Sequence, residues 1–556
     1  MSILAFARNL LVYKEKSGNK QYEFLEDEAI ERESHGPDFI KDNPKEKTQV
    51  KKAVLKPLKE KGENKAISKN LNKNINTIKS AFAFPDNKDL MVREFKIKNT
   101  TDAAIFYLDG MVDKILINNF IIRQLMLLGS EGENGEYTAQ YLADNLLSVS
   151  EATTEENEDK IIEAILNGMT AVFVDRSDEC IIIDSRGFER RNVGVPQTET
   201  VIRGPHEGFT ETLRTNITLI RKIIHSENLV TEFMKVGTLT KKTVAVMYIK
   251  DVANPDVVDK VRERISSIDT DFLVGDGELC QYIEDHPWSL FPQILSTERP
   301  DRAASFLAEG QVVMICDGTP YASAVPVTLF HLMHTSEDTS LRWQFGFFLR
   351  VIRNIAAFLA IFLPGIYLSL VLYHQEMIPT ELLFSIASSR ENIPFPSVIE
   401  LLLMEVSFEL IREASLRVPG AIGQTLGIIG AVVLGEAAVA AGIVSPVLII
   451  IVAICGMSSF AIPNFGLAFA IRLLRFIFIF FAGVAGLFGI AAGIFICGGL
   501  LCSMKSFGVP YLSPIAPKTK HSPDVLARVP IRMYTQRPDF LNPQKRYKTK
   551  TGRKKR

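Results

Sequence analysis

Four apolar runs in the C-terminal part of the chain restrict its fold more than any other feature. A helix needs about 20 apolar residues to cross the hydrocarbon core of a bilayer. The run 355–373 supplies 19 residues without a charge, 420–443 supplies 24 with Glu436 alone, 444–462 supplies 19 with none, and 476–502 supplies 27 with none. Buried helices of water-soluble proteins rarely stay uncharged for so long. The expectation is an all-α polytopic membrane domain, 336–517, with about four transmembrane helices.

Basic residues orient such a domain. Arg342, Arg350 and Arg353 precede the first run, and the tail from Lys518 carries 13 Lys+Arg against Asp524 and Asp539. The connection 374–419 has seven Glu against Arg390, Arg412 and Arg417. Four spans with both termini in the cytoplasm fit this pattern. Arg472 and Arg475, at the start of the last span, fall on the wrong side; lipid phosphate, Glu436 and snorkelling are all open as their destination.

Small residues recur at helical spacing. Gly423/Gly427 and Gly489/Gly493 are small-xxx-small pairs, which allow close helix approach in lipid, so helix–helix assembly is expected. Pro364 removes a backbone donor inside the first span, and a kink is expected there.

Between the first two spans, 398–418 reads as one amphipathic helix. Glu405, Glu409, Arg412 and Glu413 fall on a stripe about 100° wide, and Leu403, Val406, Leu410 and Ala414 occupy the adjoining face. Two readings stay open: an interfacial helix with a solvated charged side, or a polar stripe lining an ion path. Glu436, within a span, joins the second as a candidate; an interhelical hydrogen bond is its alternative.

The rest of the chain is polar. Residues 1–80 are expected to be a disordered Lys-rich leader, because 41–80 holds 12 Lys against 4 acidic residues and few aromatics. From 81 onward, alternating strand and helix patterns indicate an α/β or α+β region of two subdomains, 81–195 and 196–335. Residues 518–556 form a basic cytoplasmic tail. With 63 Lys+Arg against 64 Asp+Glu the chain is not a uniformly basic nucleic-acid binder. Six scattered cysteines without a CxxC pair suggest neither a disulfide framework nor a zinc site. Val274–Glu278 (VGDGE) lacks the features of a phosphate loop, and HExxH and GxSxG are absent. No catalysis, cofactor or metal is expected.

Three passages resemble one family: PQTETVIRGPHEGFTETLRTNITLIRK (196–222), FPQILSTERPDRAASFLAEGQVVMICDGTP (291–320), and the block IPFPSVIELLLMEVSFELIREASLRVPGAIGQTLGIIGAVVLGEAAVAAGIVSP. They are similar to the A subunits of GerA-type spore germinant receptors, over roughly 76–517. The resemblance implies a protein of the spore inner membrane, both termini facing the spore core. It implies a complex with a transporter-like B subunit and a lipoprotein C subunit, and oligomeric A subunits that form or gate an ion path after a nutrient binds. A non-conducting scaffold, or the A-like paralogue of the dipicolinic-acid release system, are the alternatives. Within the first passage, Arg203, Gly204, Pro205, Glu207, Gly208, Glu211, Asn216 and Arg221 are read as a joint between the subdomains. Thr210 is expected to cap a helix containing Glu211, and Pro300 to start another.

Overall fold

The structure, a computed structural model, describes residues 66–127, 138–145, 147–149, 151–187, 194–417, 435–519 and 528–548. The soluble half is one supersecondary plan used twice. Helix α1 (Leu71–Ala81) precedes β1 (Leu90–Ile97) and β2 (Thr101–Leu108); short helical segments between Lys114 and Leu127 and at Ala139–Asn145 follow, and then β3 (Ala152–Glu155), α2 (Glu158–Leu166), β4 (Thr170–Val174) and β5 (Cys180–Ile183). In the second unit α3 (Leu213–Ile223) precedes β6 (Leu229–Val236) and β7 (Lys242–Ile249). It continues through α4 (Pro255–Ser266), α5 (Asp276–Ile283), β8 (Leu295–Thr297), α6 (Pro300–Glu309), β9 (Val312–Cys316) and β10 (Ala322–Val325). The sheet orders are β1-β2-β4-β5-β3 and β6-β7-β9-β10-β8, antiparallel throughout.

The repetition extends to side chains. Asn74 Nδ2 donates to the Ser68 carbonyl at 2.6 Å and its Oδ1 accepts from Ser68 N at 2.9 Å. Asn216, 142 positions later, treats Thr210 the same way at 2.6 and 2.7 Å. Asp175 and Asp317, each directly after a central strand, accept from the first amide of α1 and α3, both at 3.4 Å. These contacts satisfy helix-end donors that have no partner inside the helix.

Residues 66–80, expected to belong to the disordered leader, are folded, and the remainder of that expected leader lies outside the described residues. Asn70 caps α1 by accepting from Lys73 N, and Leu71, Ile75 and Ile78 are buried against Phe106 and Phe173. Their helical spacing outweighs the polar composition around them. Helix α3 also starts later than expected: Thr212 is its N-cap, without a side-chain bond, and Glu211 lies before it. Thr210 instead accepts from Thr212 N at 3.3 Å. Pro300 is the first residue of α6, as its turn chemistry requires.

The helical half holds, among the described residues, α7 (Trp343–Tyr373), α8 (Thr380–Arg390), α9 (Ser397–Arg417), α10 (Pro446–Phe460) and α11 (Phe465–Ser503), with helical backbone also at 435–440. Among the described residues, α7 and α11 are long and apolar enough to cross a membrane. Helix α7 continues through Pro364. Most of the expected span 420–443, with Gly423 and Gly427, lies outside the described residues. Helix α10 is apolar but only 15 residues long.

The expected single span 476–502 is not one rod. The backbone leaves helical geometry at Ala485 and Gly486, where Gly486 adopts φ 60°, ψ −141°. A Cβ on Gly493 would come within 2.8 Å of the Phe478 ring, and one on Gly489 within 2.0 Å of the Phe481 carbonyl. An unbroken helix would hold residues 478 and 493 ~22 Å apart. The segment therefore doubles back as a hairpin, and these glycines seat one arm on the other. Its open end meets the soluble half at Pro292 and Ser289; its closed end meets Tyr373, the last residue of α7, and His374 just after it.

No boundary separates the two halves energetically. Ala360, Leu467, Ala468 and Ile471 belong to the same buried cluster as Phe306, Leu307 and Leu332 of the second unit. The tail also folds back: Phe540 and Leu541 are buried, Arg537 Nε donates to the Ala308 carbonyl at 2.8 Å, and Lys548 pairs with Glu309 at 3.2 Å.

Candidate functional site

Helix α9 turns Glu400 and Glu405 fully inward and Glu409 largely so. Leu403, Val406 and Leu410 are 41%, 48% and 66% exposed, whereas Glu405 is fully buried. This is the reverse of a solvated amphipathic helix and suits a helix surrounded by lipid, where polar groups must find partners inside the bundle. The partners come from the first hairpin arm. Arg475 Nη1 lies 2.7 Å from Glu405 Oε2 and its Nη2 donates to Glu409 at 3.1 Å; Arg472 Nη1 donates to the other Glu409 oxygen at 2.7 Å.

One turn further on, Arg412 donates to Ser459 Oγ at 2.9 Å and stacks over the Phe460 ring at 4.4 Å. At the other end of α9, Glu400 accepts from Ser445 N at the start of α10 at 2.5 Å and faces Arg390 at 3.6 Å. Glu413 and Glu436 are exposed on the chain's own surface. Isolated buried carboxylates or guanidinium groups are costly, and pairing is what makes them tolerable. Arg472 and Arg475 thus pair with Glu409 and Glu405. The hairpin accounts for their place in the fold: the arm that carries them starts at the soluble half.

A second polar system joins the soluble and helical halves. Asp338, with no exposed side-chain surface, lies 2.6 Å from Arg353 Nη2 and 3.1 Å from Arg350 Nε, both on the first turns of α7. Burial pushes its carboxyl up, but the hydrogen bonds and charges of Arg353 and Arg350 outweigh this and bring it down to about 2. Arg353 also donates to the Met333 carbonyl and to Thr335 Oγ1, at 3.2 and 3.1 Å. At the other end of the helical half, Ser506 Oγ donates to the Gln293 carbonyl and Tyr511 to that of Pro292, both at 2.8 Å. Both ends of the helical half are fastened to the same soluble unit.

The segment 194–209 straps across that unit. Arg299, almost fully buried, donates to the carbonyls of Pro205 at 2.8 Å and Glu199 at 3.1 Å, and pairs with Asp301 at 3.0 Å. Arg302 pairs with Glu199 and donates to the His334 carbonyl at 2.8 Å, four residues before Asp338. Glu298 accepts from the amides of Gln197 and Thr198 and from Tyr321. Burial raises its carboxyl, and these three donors more than reverse the shift.

The motif residues divide between these roles. Gly208 is buried and its amide donates to the Gly194 carbonyl at 2.9 Å; Gly204, at φ 147°, sits beside Ser340 and Arg299. The Glu211 carbonyl accepts from Gly318 N at 2.9 Å. Arg203, Pro205 and Glu207 are exposed. Arg221 joins the two units: buried in α3, it donates to Asp89 at 3.1 Å and to the Leu229 carbonyl at 2.7 Å. Asp338, Glu199 and Arg302 escaped sequence reasoning. The ERPD run marked Arg299 and Asp301 only as a turn, and nothing local distinguishes Asp338 from any surface acid. Among the described residues no group of three or more His, Cys, Asp or Glu could hold a metal ion.

The Bacillus/Clostridium GerA spore germination protein family matches residues 46–540. The uncharacterized membrane protein YfkQ of Bacillus subtilis (strain 168) is 41% identical over 452 residues, 81% of this chain and 87% of that protein. Spore germination protein KA of the same organism is 39% identical over 459 residues, 82% and 84% of the two chains. Spore germination protein GerLA of Bacillus cereus is 38% identical over 455 residues, 82% and 92%. Among solved structures, the N-terminal domain of the A subunit of the Bacillus megaterium spore germinant receptor GerK3 matches 47% of this chain and 96% of its own, at 28% identity and a TM-score of 0.37. The chain belongs to the GerA family of spore germination proteins.

Proposed function

We propose that this protein is the A subunit of a nutrient germinant receptor in the spore inner membrane, where it passes nutrient binding into ion release rather than catalysing a reaction. Its partners are a transporter-like B subunit, a lipoprotein C subunit and further copies of itself. The helical half crosses the bilayer several times. The hairpin, two crossings in place of one, returns the chain to the side on which α7 began, and both termini face the spore core.

The observation that carries this reading is the double attachment of the helical half. Asp338 holds the start of α7, and Gln293 and Pro292 hold the segment that follows α11. A displacement of the second soluble unit therefore moves the first and last helices together. The conducting form of the reading places an ion path between subunits, where Glu413 and Glu436 are exposed. Glu405 and Glu409 belong to an internal lock instead. Their pairing within the chain favours the second reading, a non-conducting transducer, over a pore lined by the whole stripe.

The test is potassium flux. Spores lacking this chain should fail to release potassium when given a mixture of amino acids, glucose and inosine that triggers wild-type spores; unchanged release would defeat the receptor reading. The purified chain in potassium-loaded vesicles separates the two forms, since only a conducting subunit carries flux by itself.

A further inference from the structure

The chain has two tryptophans, and they stand at different heights. Trp288 is 51% exposed and Leu290, two residues on, is 41% exposed; both lie on the loop between α5 and β8. That loop covers the open end of the hairpin. Ser289 Oγ donates to Met504 Sδ at 3.4 Å, beside the end of α11, and a Cβ on Gly466, near its start, would meet Pro292 at 3.4 Å. The first arm, 465–484, is ~30 Å long, about the thickness of a hydrocarbon core. The loop therefore sits at the level where the hairpin leaves the hydrocarbon. Phe465 and Phe469, 63% and 49% exposed, continue the apolar surface down the arm. An indole, apolar with one N–H donor, favours the boundary between acyl chains and water.

We propose that the loop His286–Phe291 is a bilayer-interface anchor, with Trp288 and Leu290 entering the headgroup layer so that the second soluble unit rests on the lipid surface. This inference rests on the membrane-spanning reading above. Trp343 is the internal contrast. It begins α7, whose other end, Tyr373, meets the closed end of the hairpin at Gly486. Since α7 is 31 residues long, Trp343 stands ~15 Å above the level of the loop.

The experiment reconstitutes the full chain in phosphatidylcholine–phosphatidylglycerol vesicles whose acyl chains are brominated either near the headgroup or near the bilayer centre. Trp343→Phe isolates Trp288, and Trp288→Phe isolates Trp343; should the first variant fold poorly, the wild-type signal minus that of Trp288→Phe gives the same quantity. Shallow bromines should remove about half of the Trp288 emission, and about twofold more than deep ones, while Trp343 stays unaffected. Trp288 emission untouched by either bromolipid overturns the anchor, whether aqueous iodide quenches it (an open loop) or does not (a protein cover, such as a second copy). A chain that washes off the vesicles in alkaline carbonate would instead defeat the membrane-spanning reading.

Discussion

Asp338 and Arg353 meet at 2.6 Å in a site with no solvent access to the carboxylate, and the same acid holds Arg350 at 3.1 Å. One carboxylate thus bridges two guanidinium groups at the base of the first long apolar helix. Asp338→Asn should lower the unfolding free energy of the purified chain by about 3–5 kcal/mol, because removing one partner leaves buried charge uncompensated. An unfolding midpoint within error of wild type would contradict the clamp.

The same residue sets a pH limit. Its carboxyl is depressed from the usual value to about 2. The stability it contributes is therefore complete above about pH 4 and is lost as pH falls toward 2. Acid unfolding of wild type should show this loss, and Asp338→Asn should lack that part of the slope.

Glu284 behaves in the opposite sense. Burial pushes its carboxyl up to about 7, with the neighbouring Asp285 adding to the rise and the Gln293 amide opposing it. A raised acid contributes stability below its unfolded value that is lost as pH climbs through the folded one. Stability should fall between about pH 4.5 and 7, and Glu284→Gln should flatten that fall. A wild-type curve already flat across this window would rule it out.

Glycines of the hairpin should divide by position. Gly489→Ala brings a methyl group within 2.0 Å of the Phe481 carbonyl, whereas an added Cβ at Gly498 meets nothing within 4 Å. The first substitution should separate the arms and cost several kcal/mol. The second should be neutral or stabilise by up to ~1 kcal/mol, the usual gain of Ala over Gly in a helix. Thermal unfolding in detergent reads both, and equal effects would contradict the doubled-back arm.

The elements that sequence patterns revealed are those built locally. The apolar alternation over 230–235 and 243–249, and Asn254 with Pro255, coincide with β6, β7 and the start of α4, because alternation and capping act over short range. Helix α1 was hidden because its buried positions, Leu71, Ile75 and Ile78, are diluted by Lys and Asn. The hairpin was hidden because a long apolar run gives no sign of a reversal when Gly486 is one glycine among many. Its one trace was the misfit of Arg472 and Arg475. The acids of α9 were legible as a stripe, but a stripe does not say which way it faces. That required the position of the arm bearing their arginines.

The most direct test exchanges charge across that pair. Glu405→Arg should abolish potassium release from spores given the triggering nutrient mixture, and Glu405→Arg with Arg475→Glu should restore most of it, with protein level and complex assembly normal throughout. Restoration means that Glu405 acts by holding Arg475 within its own chain. A double variant that assembles normally but stays as inactive as the single one would contradict the internal lock and return Glu405 to the lining of an ion path.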